Sequence, residues 1–456
     1  MAYQAAVTSN ITRNTVTAQG ISLDHSIFVD SHNYFPERVR SYGSYTEFLE
    51  DTSIPSTSNT AKAITSAFSA NTSAAPSRVY AGRIETDNVI ITPNAAVIGS
   101  TYGFTVKVYD ATRTLLTTTI ASFTATTTDD ADVVTGLSTS LGTVTGVTSS
   151  IVGTTITLAP AATYSIVVTA FVKVADTYTS TETPAEILAA IQEENNEWYA
   201  LMAADHTETF QLAMAAAIQP TGASDSPKMY WTSTSDVDSY VAVVDPAVDV
   251  IGKLKEFNYT RTVTDWSHLA DSIFPEMLAF NYASTFQAGA ANFKFNRIAA
   301  YPAAANPSTG ARLSTGMQGN INARNGNWMG RQRGVDFYQD GKVASGEWID
   351  IIMGVDWLND RIEVEVLNVF LNQQGGKVSY AKPSIIKSTI DSVLQQAYDI
   401  GFLDGYVGAE IPDYLTQIPF SDKVERILKD VKWTGYLSGA VNNVIINGNL
   451  TYQQAV

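Results

Sequence analysis

The residues from which a catalytic or metal site would have to be built are few and scattered. The four histidines, His25, His32, His206 and His268, include no pair at the i, i+4 spacing that turns two imidazoles toward one metal on a helix face. All four are expected in ordinary structural roles, with His206 simply occupying a strand-to-helix turn. Asp129, Asp130 and Asp132 could offer oxygens to calcium, but the glycine and terminal glutamate of an EF-type loop are missing. An acidic first helical turn accounts for them more simply. Asp356, Asp360, Glu363 and Glu365 share one predicted helix and read as a solvated or interfacial face, in preference to paired acid/base groups.

Phosphate chemistry finds no better support. Gly376-Lys377 lacks the glycine five positions earlier, and Val378 stands where a phosphate loop needs Ser or Thr. After the apolar run 198–203, where a doubly wound nucleotide fold places its Gly-rich turn, the chain has Asp205-His206-Thr207-Glu208. Those carboxylates would repel phosphate. No Gly-x-Ser-x-Gly elbow occurs. With no cysteine anywhere, thiolate nucleophiles, disulfides and Cys-ligated zinc are excluded. No catalytic residue, metal or cofactor is expected, and the chain is not expected to be an enzyme.

Charge narrows the partners. Lys and Arg number 28 against 45 Asp and Glu, a formal net charge of −17. Such a chain has no basic footprint for nucleic acid or anionic lipid. No apolar run reaches the roughly 18 residues of a membrane span, and residues 1–17 are polar, unlike a secretory leader. Neither nucleic-acid binding nor membrane insertion is expected. At 456 residues, with 45% hydrophobic content, the chain has room for about three domains.

The elements that would position any surface follow from periodicity. Residues 1–25 alternate weakly and read as an extended arm. Residues 26–87 read as strand, helices and returning strand, and 179–312 continue with alternating strands and helices, the pattern of a parallel-rich α/β core with helices on both faces. Thr183-Pro184-Ala185-Glu186 is a capping box that starts one of those helices. A single helix is predicted for about 269–283. Between the two core segments, 88–178 is rich in Thr, Val, Ala and Ser with eight charged residues. It is expected to be an inserted, mostly-β domain holding one helix at 129–141. Residues 313–432 are expected to form a C-terminal α+β domain. Asp340-Gly341 signals a hairpin turn there, a long helix pair carries Leu358, Ile362, Val366 and Ile386, Ile390, Leu394, and a short helix spans 421–430. Residues 433–456 read as a terminal β-arm with an Asn447-Gly448 turn. The fold class is thus α/β and α+β multidomain with extended terminal β-arms.

The ending Phe420-Ser421-Asp422-Lys423-Val424-Glu425-Arg426-Ile427, followed by Trp433-Thr434-Gly435-Tyr436-Leu437 and Val444-Ile445-Ile446-Asn447-Gly448-Asn449-Leu450, resembles the close of contractile phage tail sheath proteins. The helix pair, the Asp404-Gly405 region and the α/β core with a Thr/Val-rich insertion resemble the same family, in a divergent branch. The match is one of order and texture across most of the chain.

The resemblance implies a structural subunit that stacks as hexameric rings around a tail tube and contracts to drive the tube through the host envelope. It implies a homo-oligomeric helical sheath with six-fold rings, contacting tail tube, baseplate and tail terminator proteins. The place would be the tail of a virion, assembled in the host cytoplasm. Terminal extensions would add strands to neighbouring copies, which assigns Ala5, Val7 and Ile11 in 5–13, and Val444, Ile446, Leu450 and Tyr452 in 444–452, as intersubunit strands. The alternative is another tail or virion structural protein, or a host-binding surface protein using 88–178.

Overall fold

The computed structural model describes residues 20–220, 227–372, 378 and 383–444. Of the arm residues singled out above, Val444 lies within them; Ala5, Val7, Ile11, Ile446, Leu450 and Tyr452 lie outside. The chain divides into two compact units. The larger comprises Ser22–Phe286 and Phe293–Ile349. The smaller comprises Gln287–Asn292, Asp350–Val456 and the N-terminal residues up to Ile21.

The larger unit begins with β1 (Ser26–Ser31) and β2 (Val39–Tyr42), then α1 (Tyr45–Glu50), α2 (Asn59–Ser69) and β3 (Val79–Ile84). Ser58 starts α2 by accepting a hydrogen bond from the Ala61 amide. β3 leads into the insertion, built from β4 (Asn88–Pro93), β5 (Thr101–Asp110), β6 (Leu115–Thr124), α3 (Asp130–Leu141), β7 (Val147–Val152), β8 (Thr155–Pro160), β9 (Tyr164–Val172) and β10 (Val174–Thr179). Two antiparallel sheets, ordered β10-β4-β8-β7 and β6-β5-β9, enclose Phe104, Val106, Val133, Leu137, Ile156 and Leu158. Each such fully buried side chain contributes about 1.5–3 kcal/mol. The entering strand β4 pairs with the departing β10, Asn88 opposite Thr179. Asp129 caps α3 through the Ala131 amide, and Asp132 holds the Thr126 and Thr127 amides.

The chain then returns through α4 (Pro184–Glu194), β11 (Ala200–Ala203), α5 (Glu208–Ala217), β12 (Met229–Thr234), α6 (Val250–Glu256) and β13 (Thr262–Trp266). The six-stranded sheet has the order β13-β12-β11-β1-β3-β2. It is parallel except for β2, which runs antiparallel to β3. Every residue of β11, β12 and β13 is buried, as expected of strands covered on both faces. The predicted helix at 269–283 is two, α7 (Ala270–Ile273) and α8 (Pro275–Ala283), broken where Phe274 turns left-handed at φ 47° before Pro275.

Next come α9 (Thr315–Ala323), β14 (Trp328–Gln332) and β15 (Val335–Gln339). The hairpin turn is Arg333-Gly334, with φ of 50° and 86°, and not Asp340-Gly341. Two consecutive left-handed residues match the twist of a two-residue hairpin. Asp340 is instead held by Lys294 at 2.8 Å, and the Gly341 amide donates to Asn327. Leu313, Ile321, Trp328 and Ala344 pack in one core with Ile27, Leu201 and Trp266, so residues 313–349 share the core of the parallel sheet.

The smaller unit is built on α10 (Ile349–Asn372), α11 (Ser384–Asp399), β16 (Leu403–Glu410), α12 (Phe420–Glu425) and β17 (Lys432–Leu437). Its core gathers Leu358, Ile386, Ile390, Leu394, Ala397 and Phe402. Gly354 in α10 leaves no room for a Cβ against the Phe402 ring. The helix foreseen over 421–430 stops at Glu425 because Arg426 is left-handed, φ 61°. Residues 433–437, foreseen as the start of an arm, belong to β17 and pair with β16.

Candidate assembly surfaces

The ionisable side chains of the larger unit serve its own packing. His206, at the end of β11, meets Asp271 through Nδ1 at 2.8 Å and Glu276 through Nε2 at 3.1 Å. Burial opposes its charge, yet the two carboxylates outweigh that and push it up to about 10. The imidazolium ties the loop after β11 to α7 and α8, more than the passive turn position expected. Its partners lie 65 and 70 residues away, beyond the reach of any local motif. Burial and the nearby Arg83 and Arg40 hold His32 well below its ordinary value. His25 bonds the Glu197 carbonyl and Ser77, and burial lowers His268.

Arg324 and Asp249, both buried, pair at 2.7 Å. The guanidinium also donates to the carbonyls of Asp238, Val241 and Ala242, fixing the loop that follows β12. Burial pushes the Asp265 carboxyl up to about 8, against the Tyr338 hydroxyl. In a cleft lined by Arg38, Arg83 and Arg113, each arginine is taken by a carboxylate, Glu182, Glu85 and Glu194 respectively. The cleft offers no free cation for an anionic ligand. Among the described residues no group of three His, Asp or Glu side chains is placed to hold a metal ion, and no helix is long and apolar enough to cross a membrane.

The smaller unit is different. Among the described residues β16 and β17 form a two-stranded sheet, so neither outer edge meets a further strand there, although the Ala409 amide donates to Asp391 and its carbonyl accepts from Lys387. Two strands alone are marginal in water. The register shifts between Leu403 and Gly405 and between Val407 and Glu410. Large apolar side chains of this unit are exposed: Leu415 and Phe420 at 80% and 81%, with Val424, Tyr436, Leu437 and Val441. Val444, the described member of the C-terminal arm, is exposed and outside any strand. At the other end, the Ile21 amide donates to both Asp360 oxygens, at 3.0 and 3.1 Å. Asp360, expected on a solvated or interfacial face, thus holds the backbone of Ile21, and a side chain at Gly20 would collide with it.

No family model and no curated protein matches the sequence. Solved structures do. A chain of the anti-feeding prophage baseplate, 6-fold symmetrised, aligns over 99% of this chain and 100% of its own, with a TM-score of 0.52 at 10% identity. The anti-feeding prophage helical sheath in its contracted state gives 0.51 at 10% identity over the same shares. The sheath complex of an extracellular contractile injection system, PVC, also contracted, gives 0.51 at 8% identity over 99% of this chain and 98% of its own.

The chain has the contractile sheath fold.

The sheath fold accounts for the mixed architecture in one piece: a parallel-rich sheet, small antiparallel sheets and a helical unit ending in a ribbon of strands. At 8–10% identity to these structures, the likeness is one of order and packing, consistent with a divergent branch.

Proposed function

We propose that this protein is the structural subunit of a contractile sheath. The observation that carries the reading is the whole-chain likeness to sheath structures, covering 99% of this chain with no large part left over. In this reading copies polymerise as stacked hexameric rings around a tube, and contraction drives the tube through the host envelope. Tube, baseplate and terminator proteins are the partners, the sheath belongs to a phage tail or a related injection system, and assembly takes place in the host cytoplasm. The protein does no bond chemistry.

The mechanism follows from the surfaces. Head-to-tail contacts that do not close generate helical polymers. Residues 5–13 and 444–452 of neighbouring copies add strands to the open β16–β17 edges, satisfying their backbone groups while apolar side chains set register. Residues 26–87 and 179–312 act as the core body and 88–178 as a peripheral domain. Contraction is a change between two packings of nearly rigid bodies, with the arms preserving connectivity. The baseplate origin of one matched chain supports a second reading, a subunit confined to a baseplate-proximal ring.

Negative-stain microscopy of the purified chain tests both. Long tubes are expected from the sheath subunit, and isolated rings from the second reading. Dispersed monomers under every polymerising condition tried would overturn both.

A further inference from the structure

We infer that residues 14–19 dock along α10 of their own chain as an extended strand, seating Ala18 on Leu367 and Val16 on Leu371. Residues 1–19 lie outside the described residues; α10 and the point where the described chain meets it locate the seat. α10 carries two apolar faces. On one, Leu358, Ile362 and Val366 belong to the core shared with α11. On the other lie Asp360, Val364, Leu367 and Leu371, at i, i+4, i+7 and i+11, all within about 60° of one another around the helix.

The described chain starts on that second face. The Asp360 carboxylate accepts from the Ile21 amide. A Cβ at Gly20 would collide with the same carboxylate and stand 3.6 Å from a Val364 methyl. Toward the N-terminus of α10 this face is already covered, with Met353 and Asp356 buried. Toward the C-terminus Leu367 and Leu371 are each 48% exposed. The face is open in that direction alone.

The sequence before Gly20 fits the opening. Because Gly20 directs its side-chain position at α10, an extended chain points Ala18 and Val16 the same way and turns Gln19, Thr17 and Thr15 to solvent. Ala18 and Val16 are the only apolar residues of 14–19, and none of that segment is charged. Thr15, Val16 and Thr17 are β-branched and favour extended backbone. Two extended residues span about 6.6 Å, the rise of roughly four helical residues, which carries Ala18 to Leu367 and Val16 to Leu371.

The tether names the chain itself as the occupant. Gln19 is bonded to a residue already on the stripe, which sets an effective concentration that a free second copy does not match. Docking leaves residues 5–13 beyond the C-terminal end of α10, so this seat does not compete with the strand addition proposed above, and neither requires the other.

With no native cysteine, full-length Val16→Cys with Leu371→Cys tests the seat in the unassembled chain. An approach as close as that at Gly20 brings the pair to the roughly 3.5–4.5 Å between Cβ atoms that a disulfide needs. Val16→Cys with Val355→Cys is the control. Val355 is also exposed, lies about 24 Å from Leu371 along the helix, and is within reach of an undocked segment. Mild oxidation should close the 16–371 pair within one chain about tenfold faster than the 16–355 pair. Trypsin cleavage after Arg13 needs residues 14–19 free of the helix. Leu367→Asp with Leu371→Asp should therefore speed it about tenfold. Val16→Asp should act likewise, and Thr17→Asp, on the solvent side, should have little effect. Intact mass reads the loss of residues 1–13, and circular dichroism confirms that each variant folds. Equal closure of the two pairs, disulfide-linked dimers in place of the bond within one chain, or cleavage indifferent to the changes at Leu367 and Leu371 would overturn the seat.

Discussion

The parallel sheet of the larger unit and the β16–β17 ribbon of the smaller unit stand in opposite states of burial. In the sheet, β11, β12 and β13 are buried along their whole length, and the charges beside them are matched inside the unit, Arg324 to Asp249 and His206 to Asp271 and Glu276. In the ribbon, the two strands pair only with each other among the described residues, and Tyr436 on β17 and Phe420 and Val424 of α12 are exposed. The first region is buried within its own unit. Among the described residues no third strand joins the second, and in the proposed assembly neighbouring copies supply it.

The comparison breaks hardest at the buried pair. Arg324→Leu strands the Asp249 carboxylate without its partner and should cost about 3–5 kcal/mol, read as a lower denaturation midpoint for the larger unit. A loss below about 1 kcal/mol would mean the sheet is less self-contained than its ion pairs imply. Gly354→Ala forces a methyl group against Phe402 and should cost about 1–3 kcal/mol, confined to the smaller unit when opening is followed by hydrogen exchange.

A third test uses pH. Because His206 is raised from 6.5 to about 10 in the folded chain, its stabilisation is fully present below 6.5 and is lost as pH rises through about 10. The difference in stability between wild type and His206→Gln should therefore shrink over that window. Asp265, raised to about 8, also destabilises as pH rises but is common to both proteins. A difference that stays flat from pH 6.5 to 10 would remove His206 from the account. The smallest effect on the isolated chain is expected from Phe420→Ser with Val424→Ser. Exposed positions usually shift stability by less than about 0.5 kcal/mol, while polymer yield should fall sharply. Unchanged polymers would show that this apolar face is not covered on assembly.

What could be read from the sequence was what is local. The capping box at Thr183 is present in both directions, Thr183 accepting from the Glu186 amide at 3.4 Å and Glu186 from the Thr183 amide at 2.9 Å. Alternating strand and helix signals gave the parallel core, and the compositional shift at Asn88 gave the antiparallel insertion. The hairpin turn was misplaced because Asp340-Gly341 is the stronger dipeptide signal, while Arg333 takes a left-handed conformation that its type does not advertise. The shared core of 313–349 rests on Trp328 and Ala344 meeting Leu201 and Trp266, contacts separated by more than sixty residues that no periodicity encodes. The same distance hid the His206 cluster and the Asp360 hold on Ile21.

The most direct test of the central claim is a helical cryo-electron microscopy reconstruction of the assembled protein, alongside the chain lacking residues 1–13. The account predicts tubes in which β16 and β17 sit inside a larger sheet completed by strands of neighbouring copies, and loss of contraction-competent tubes on deletion. Tubes whose β16–β17 ribbon stays two-stranded, or intact contractile tubes from the shortened chain, would contradict it.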